Sequence, residues 1–242
     1  MTTRHLPSII SQRDLGLFPG TKPLGKRTRR GRTSSYPGIF ASTKCLGVPV
    51  FDSLLERDFQ SLLCADSRVD AYAVQAHQLT YWTPGLGGAF KQRLYTPDIV
   101  LRRQGGQMAV IEVKAEAFTR DSYWREREPY IRRAYKQDHA TDFVVVTERV
   151  VRVQPRLSNY EKMLRLGARL HDPVALAAVR DALSSTSPNS SLGEICDATL
   201  LTQNRLPRAY SALMSLALKG EVVLDLDRPL SLSTRILSRH DT

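Results

Sequence analysis

The apolar segment Met108–Ala115 most constrains the fold, because its pattern predicts a β-strand with two charged side chains on one face. Glu112 and Lys114 are two positions apart, so both project from that face while their apolar neighbours point into the core. A second strand is predicted over Leu94–Arg103, and the Gly-Gly pair between the two strands favours a hairpin. Asp98 follows a proline at the start of the second strand and is therefore expected beside Glu112.

Helical and strand-like patterns alternate around this hairpin. The further elements predicted are a helix over Phe51–Leu63, a strand over Asp70–Tyr81, a charged helical segment over Asp121–His139, a strand over Asp142–Thr147 and a helix over Asn159–Leu170. Pro129 is expected to divide the charged segment into two helices. The run Asp142–Thr147 is almost continuously apolar, which is typical of a parallel strand buried on both faces. This order predicts an α/β sandwich with a mixed sheet flanked by helices.

The character of the chain changes near residue 172. Three helices and a hairpin are predicted there, over Pro173–Leu183, Ser191–Ala198, Leu206–Lys219, Val222–Leu226 and Leu230–Ile236, with Gly220 as a helix C-cap. Three helices followed by a hairpin are the outline of a winged helix. We therefore expect three regions: a basic, flexible arm over residues 1–35, an α/β domain over 36–171 and a winged-helix-like domain over 172–242.

Positive charge is concentrated at the N-terminus. The chain has 242 residues and a net charge of +11, and residues 1–35 contain eight Lys or Arg against one acid. So basic a segment favours DNA as a partner, although a solubilising tail is the simpler alternative. The basic residues expected to contact DNA are Lys26, Arg27, Arg29, Arg30 and Arg32.

Three widely spaced cysteines and no long apolar run favour a reduced, cytoplasmic protein without a membrane span.

The residues on the predicted hairpin suit hydrolysis of a phosphodiester bond. Asp98 and Glu112 supply the carboxylate oxygens that a hard divalent cation prefers, and Glu56 on the preceding helix could add a third. The ammonium group of Lys114 could orient water or stabilise developing charge. Each piece alone is a weak signal, because Glu-Val-Lys is often a solvated strand face and Thr-Pro-Asp is often a turn. Their combination on a basic chain predicts the metal-binding core of the PD-(D/E)xK nuclease superfamily.

The order of several motifs resembles the TnsA family, the endonuclease subunits of bacterial transposons whose transposase is split between proteins. The matching segments are Gly38–Lys44, Ser53–Asp58, Gln75, Tyr95–Asp98 and Ile111–Lys114, within residues 36–171. The resemblance implies a restriction-endonuclease-like fold and a C-terminal helical domain. It also implies that Glu56, Asp98, Glu112 and Lys114 are catalytic and that Gln75 supports the site.

The same resemblance implies a mechanism and partners. Such a subunit uses Mg²⁺, for which Mn²⁺ can substitute, to hydrolyse the 5′ strand at transposon ends. A TnsB-like DDE transposase cuts and joins the 3′ ends, a TnsC-like ATP-dependent regulator is a second partner, and the setting is the bacterial cytoplasm near the nucleoid. Two alternatives remain open from the residues: a stand-alone restriction or repair-type nuclease, and a catalytically silent DNA-binding scaffold.

Overall fold

The computed structural model describes residues 15–25 and 36–239 of the chain. These residues form two compact units. The first comprises the residues up to Gln60 and Val69–Val151, and the second comprises Ser61–Arg68 and the chain from Arg152 onward. The second unit thus begins upstream of the boundary expected between residues 171 and 172.

A four-stranded mixed sheet organises the first unit, and it confirms the predicted α/β class. The strands of this unit are β1 (Gly38–Ile39), β2 (Val50–Phe51), β3 (Val69–Val74), β4 (Leu79–Pro84), β5 (Phe90–Tyr95), β6 (Ile99–Arg103), β7 (Met108–Val113) and β8 (Asp142–Val146). Its helices are α1 (Leu54–Ala65, whose last residues belong to the second unit), α2 (Glu116–Thr119), α3 (Ser122–His139) and α4 (Glu148–Val151).

The strands of the main sheet follow the order β3-β6-β7-β8. The first two pairs are antiparallel, and β7 and β8 are parallel, as the apolar run over Asp142–Thr147 predicts. The predicted burial of this strand on both faces is wrong, because β8 is an edge strand and its Val144 is 40 % exposed. The connection between the parallel strands runs through α3, whose buried Ile131 and Tyr135 pack into the core with Val100, Val110 and Phe143. This arrangement fixes β6 and β7 at the centre of the sheet.

Two predicted strands are each broken in the structure. The segment Asp70–Tyr81 forms β3 and β4, because Gln75 has a left-handed backbone conformation with φ 47° that ends β3. The segment Leu94–Arg103 is likewise divided between β5 and β6 on either side of the Thr-Pro-Asp stretch. As a result β4 and β5 pair only with each other, as a two-stranded ribbon outside the main sheet.

The predicted division at Pro129 is wrong, since α3 continues through it as one helix. The Asp121 side chain accepts a hydrogen bond from the Trp124 N–H (3.1 Å) and caps the helix N-terminus. Beyond the proline, Ile131 and Tyr135 are fully buried and hold the second half of the helix against the core. Burial of these two side chains therefore outweighs the hydrogen bond that the proline cannot form.

Part of the predicted N-terminal arm packs on the first unit. Leu15 and Leu17 are buried in its core, and Thr21 forms a parallel bridge with Gly47. These apolar side chains order residues 15–25, contrary to the expectation of a flexible segment. The predicted DNA contacts Lys26, Arg27, Arg29, Arg30 and Arg32 lie outside the described residues.

Helices dominate the second unit. Its elements are α5 (Arg156–Gly167), α6 (Pro173–Ser185), α7 (Leu192–Ala198), α8 (Arg205–Lys219), β9 (Val222–Leu224) and β10 (Ile236–Arg239). Helix α8 is the core of the unit, with buried residues around most of its circumference, and it ends at Gly220 with φ 83° as predicted. Strand β10 begins later than the predicted partner Leu230–Ile236, because Ser231 and Thr234 form a hydrogen-bonded turn. None of the described helices has the length and apolar character needed to cross a membrane.

Candidate active site

Two buried acidic residues lie where β6 begins and β7 ends. Ile99 pairs with Ile111 in antiparallel register, so that the next pair along the two strands is Asp98 and Glu112. The Asp98 Oδ2 atom accepts a hydrogen bond of 2.7 Å from the Val113 N–H. The exposed fractions of the two residues are only 2 % and 4 %. The predicted neighbours are therefore adjacent, and both acids are shielded from solvent.

Both carboxylate oxygens of Glu112 have a partner. The Tyr95 hydroxyl donates a hydrogen bond of 2.5 Å to Oε2, and the Lys114 Nζ atom lies 3.0 Å from Oε1. Lys114 is the first residue after β7, and its ion pair with Glu112 shows that the two side chains project to the same side, as predicted. The two contacts fix the orientation of the Glu112 carboxylate, and a fixed orientation is what a metal ligand or catalytic group requires.

Lys114 lies between a carboxylate and an aromatic ring. Besides its ion pair with Glu112, its Nζ atom lies 4.3 Å from the centroid of the Trp124 ring. Its side chain is only 18 % exposed, so the ammonium group is largely desolvated. In such surroundings both the ion pair and the cation–π contact are stronger than they would be in water.

The pKa of Tyr95 is affected by the negative charges of both Glu112 and Asp98. Burial raises the pKa of the Tyr95 phenol well above its ordinary value, and the negative charges of Glu112 and then Asp98 raise this pKa further. Burial and the charge of Glu112 also raise the pKa of Tyr135. Both phenols therefore keep their protons at neutral pH, and the Tyr95 hydroxyl acts only as a donor toward Glu112.

Glu56 lies in the first turn of α1 and takes part in a reciprocal capping arrangement. Its Oε2 atom accepts from the Asp52 N–H (2.8 Å) and its Oε1 atom from the Ser53 hydroxyl (2.9 Å), whose oxygen accepts from the Glu56 N–H (3.2 Å). Glu56 therefore stabilises the N-terminus of α1, in addition to the catalytic role predicted for it.

Gln75 connects the capping arrangement to the carboxylate pair. Its N–H donates to the Asp98 carbonyl (2.8 Å), and its side-chain Nε2 donates to Asp52 Oδ2 (3.1 Å). A chain of hydrogen bonds thus runs from Glu56 through Asp52 and Gln75 to Asp98. The predicted supporting role of Gln75 has this physical basis: the residue is 3 % exposed and is held at both its main chain and its side chain.

Asp98 and Glu112 supply a donor set that fits a hard divalent cation. Mg²⁺ is commonly bound through one or two carboxylates, with water and substrate phosphate as the remaining ligands. Buried carboxylates are costly unless positive charge compensates them, and a bound cation would supply such charge. Within residues 15–25 and 36–239, no cluster of three or more His, Cys, Asp or Glu side chains has the arrangement of a metal site. A third ligand from Glu56 therefore stays a prediction.

An open groove of about 400 Å³ lies next to Trp124, the residue whose ring contacts Lys114. Trp124, which contacts Lys114, forms part of its wall, and Val145 is the register partner of Glu112 on β8. The other lining residues are Thr119, Arg125, Glu128, Arg132 and Thr147. Trp124 and Val145 thus connect the groove to the residues next to Lys114 and Glu112.

Sequence reasoning missed three residues that shape the site. Tyr95 and Trp124 contact Glu112 and Lys114 respectively, and Asp52 links Glu56 to Gln75. Tyr95 lies three residues before Asp98 in the Tyr-Thr-Pro-Asp stretch. This closeness in sequence is a signal from which its position at the site could have been predicted. The contact of Trp124 with Lys114 and that of Asp52 with Gln75 join separate elements, and no local pattern indicates them.

No protein-family model matches the sequence, and no curated protein is significantly similar to it. The function must therefore be inferred from the residues of the site and their geometry.

Proposed function

We propose that this protein is a divalent-metal-dependent DNA endonuclease, acting as the TnsA-like subunit of a bacterial transposase. The observation that carries the proposal is the pair of buried carboxylates, Asp98 and Glu112, at adjacent register positions with Lys114 beside them. The net charge of +11 supports a polyanionic substrate. The PD-(D/E)xK form of the fold and the TnsA-like motif order are part of the proposal, as is a cytoplasmic setting.

The site residues divide the work of hydrolysis among them. Asp98 and Glu112 would hold Mg²⁺ or Mn²⁺, with Glu56 as the proposed third ligand. When bound, the cation supplies positive charge to the substrate phosphate and lowers the pKa of water. Lys114, held by Glu112 and the Trp124 ring, donates hydrogen bonds to the attacking water or to the developing charge on the phosphate. The Val113 N–H and the Tyr95 hydroxyl keep the two carboxylates in place.

The second unit is proposed to be a winged-helix-like module that docks a partner protein. Three helices, α6 to α8, precede the hairpin β9–β10, and Ser191 bridges to Arg235 beside that hairpin. Two basic residues of α8 are engaged in ion pairs within the unit, Arg208 with Asp172 and Arg205 with Asp197. A DDE transposase and an ATP-dependent regulator are the proposed partners.

The decisive experiment is cleavage of the DNA ends of the element that encodes the chain, with Mg²⁺ and its co-encoded DDE transposase. We expect cutting of the 5′ strand by the wild type and its loss in Asp98→Asn. The matched control is Asp70→Asn, an exposed acid paired with Arg102, which should cut like the wild type. Full activity of Asp98→Asn would contradict the assignment of Asp98 to the active site.

Two further measurements separate the possible failures. Mn²⁺ binding followed by electron paramagnetic resonance should weaken in Asp98→Asn but not in Asp70→Asn, while thermal unfolding checks that both variants fold. Strong nicking of arbitrary DNA by the isolated chain would contradict the transposase assignment and favour a stand-alone nuclease.

A further inference from the structure

The ribbon formed by β4 and β5 has one face that leads to the candidate active site. Side chains alternate along each strand, and this face is the one that includes Tyr95, whose hydroxyl donates to Glu112. We call it the inner ribbon face. It consists of three register pairs, which are Leu79 with Tyr95, Tyr81 with Arg93, and Thr83 with Lys91. The inner ribbon face therefore begins at the acid pair and continues away from it along the ribbon.

The positive charges on this face have no acidic partner. The segment from Leu79 to Tyr95 contains no acid, and neither Lys91 nor Arg93 forms an ion pair with any residue in the described part of the chain. Arg127 on α3 adds a third cation, since its Nε atom donates to the Tyr81 hydroxyl (2.5 Å). Cations grouped without an acid repel one another, so they favour the binding of an anion.

Two buried polar atoms on the inner ribbon face also lack a hydrogen-bond partner among the described residues. They are Thr83 Oγ1 and Arg93 Nε, and Thr83 as a whole is only 6 % exposed. The two residues are diagonal neighbours on antiparallel strands, which places their Cβ atoms roughly 7–8 Å apart, within reach of a long side chain. Buried polar groups are rarely left unpaired, because the loss of their hydrogen bonds to water is costly. One ligand with several acceptor oxygens would satisfy both donors.

A phosphodiester has the chemistry that these atoms require. It carries a negative charge and several acceptor oxygens, and arginine, lysine and threonine side chains are common phosphate ligands in complexes with DNA. Successive register pairs on the inner ribbon face are roughly 7 Å apart, at about 3.4 Å per residue. A DNA strand in a duplex advances about 3.4 Å per nucleotide. Arg93 and Lys91 therefore lie about two and four nucleotides from Tyr95, where the face meets the acid pair.

We propose that the inner ribbon face binds the DNA backbone on one side of the scissile phosphate. Thr83, Arg93 and Arg127 contact the oxygens of a nearby phosphate, and Lys91 contacts a phosphate further along the same strand. The inference rests on the proposed DNA substrate and deepens it by assigning the residues that position the DNA relative to Asp98 and Glu112. Because backbone contacts carry no base information, this surface holds DNA of any sequence.

The first test measures DNA binding by full-length protein without divalent metal, so that no cutting occurs. The probe is a labelled synthetic duplex with the sequence of the element end, followed by fluorescence anisotropy. We expect Arg93→Gln to bind about fivefold more weakly and its slope of log K against log salt concentration to be shallower by about 0.9. The matched control is Arg103→Gln, an exposed arginine at the opposite end of β6 from Asp98, which should bind within about twofold of the wild type.

Thr83→Val separates a phosphate contact from a purely structural role. The substitution removes the hydroxyl and keeps the shape of the side chain. Because Thr83 Oγ1 has no partner among the described residues, the variant should unfold at the wild-type temperature or above it. We nevertheless expect it to bind the duplex about threefold more weakly, since a hydrogen bond to a charged phosphate is lost. Lower thermal stability with unchanged DNA affinity would contradict the role of Thr83 as a phosphate ligand.

A second measurement locates the contacted phosphates. Neutral methylphosphonate groups are placed one at a time on both sides of the cleavage site in the duplex. In the wild type, the largest losses of affinity should occur about two and four nucleotides from the scissile phosphate on one side. The loss at the nearer position should disappear in Arg93→Gln, because that variant no longer makes the contact.

Three results would overturn the proposal. The first is wild-type affinity and salt dependence in Arg93→Gln, and the second is a loss no greater than that of Arg103→Gln. The third is an Arg93→Gln variant that binds DNA normally but no longer binds the transposase, because the inner ribbon face would then dock an acidic protein surface.

Failure of this inference is distinguishable from failure of the proposed function. If the wild type cuts with Mg²⁺ and Arg93→Gln binds DNA as tightly as the wild type, the nuclease stands and the inner ribbon face has no role in binding. If the wild type never cuts but shows the two positions of methylphosphonate interference, the nuclease assignment falls and the phosphate-binding surface stands.

Discussion

Gln75 contributes both to the path of the backbone and to the geometry of the candidate active site. A φ of 47° costs a non-glycine residue roughly 1–2 kcal/mol, yet it ends β3 and aims the main-chain N–H at Asp98. The carbonyl of Gln75 accepts from the Leu24 N–H (3.0 Å), and its side chain binds Asp52. These three hydrogen bonds offset the backbone cost and couple the end of β3 to the start of β6.

Tyr95 is the residue whose role is easiest to isolate. Tyr95→Phe removes the hydroxyl that holds Glu112 Oε2 and leaves the packed ring in place. Because hydrogen-bonding partners of metal ligands typically contribute 10–100-fold to metal affinity or activity, we expect about tenfold weaker Mn²⁺ binding. Titration of Mn²⁺ followed by electron paramagnetic resonance measures the change, and excess metal should restore part of the cleavage.

Tyr81→Phe is the matched control for that change. Tyr81 is also buried, and its hydroxyl accepts a hydrogen bond from Arg127 rather than contacting an acid. The two variants should unfold at similar temperatures and differ in metal affinity. An unchanged Mn²⁺ affinity in Tyr95→Phe, or an equal loss in both variants, would contradict a positioning role for the Tyr95 hydroxyl.

Among the secondary-structure elements, those with strong local patterns were predictable and those set by distant contacts were not. The parallel strand β8 and the helix α8 follow from their apolar runs and, for α8, from the Gly220 cap. The β4–β5 ribbon could not be predicted, because it depends on the left-handed turn at Gln75, which hydrogen bonds from three other segments hold. The adjacency of Asp98 and Glu112 was predictable for the opposite reason: a short turn joins their strands.

Helix α3 offers a test at the scale of the element. Pro129 lies inside it, lacks an N–H and is exposed, so its ring contributes little packing. Pro129→Ala should restore a main-chain donor and raise the free energy of unfolding by about 1–3 kcal/mol. Urea denaturation measures the change, with Arg133→Ala on the same helix as the control. A variant that is no more stable than the wild type would show that α3 is already adapted to the proline.

Across the whole molecule, stability should depend on pH through His77. Burial lowers the pKa of His77 to about 4, and the nearby positive charge of His139 contributes to the shift. An unfolded histidine has a pKa near 6.5, so above that pH both states are neutral and the folded state bears no penalty. As the pH falls from about 6.5 toward 4, the unfolded chain binds a proton that the folded chain excludes, and stability decreases.

His77→Gln removes this titration and keeps a group that can hydrogen-bond to Tyr135, the present partner of His77 at 2.8 Å. We expect the loss of unfolding free energy between pH 7 and pH 5 to be smaller in the variant by about 1–2 kcal/mol. Denaturant titrations at the two pH values measure it. His171→Gln, at an exposed position, should behave like the wild type. An equal pH dependence in all three proteins would exclude His77 as its source.

The charge distribution of the whole chain leads to a prediction about DNA affinity. Leu15 and Leu17 are core residues, so deletion of the N-terminal segment would disturb the fold as well as the charge. A variant in which Gln replaces only the basic arm residues avoids this problem; these are Lys26, Arg27, Arg29, Arg30 and Arg32. A lysine or arginine that neutralises a phosphate releases counterions, so the variant should bind duplex DNA more weakly.

The salt dependence of binding distinguishes phosphate contacts by the arm from a general effect of net charge. For each phosphate that the arm variant no longer neutralises, the slope of log K against log salt concentration should become shallower by about 0.9. Fluorescence anisotropy across a range of salt concentrations measures the slope. Gln substitutions at Arg149, Arg152 and Arg165 remove positive charge from the folded units and supply the comparison. An unchanged slope in the arm variant would show that its basic residues do not bind DNA and that the phosphates are held by the folded units instead.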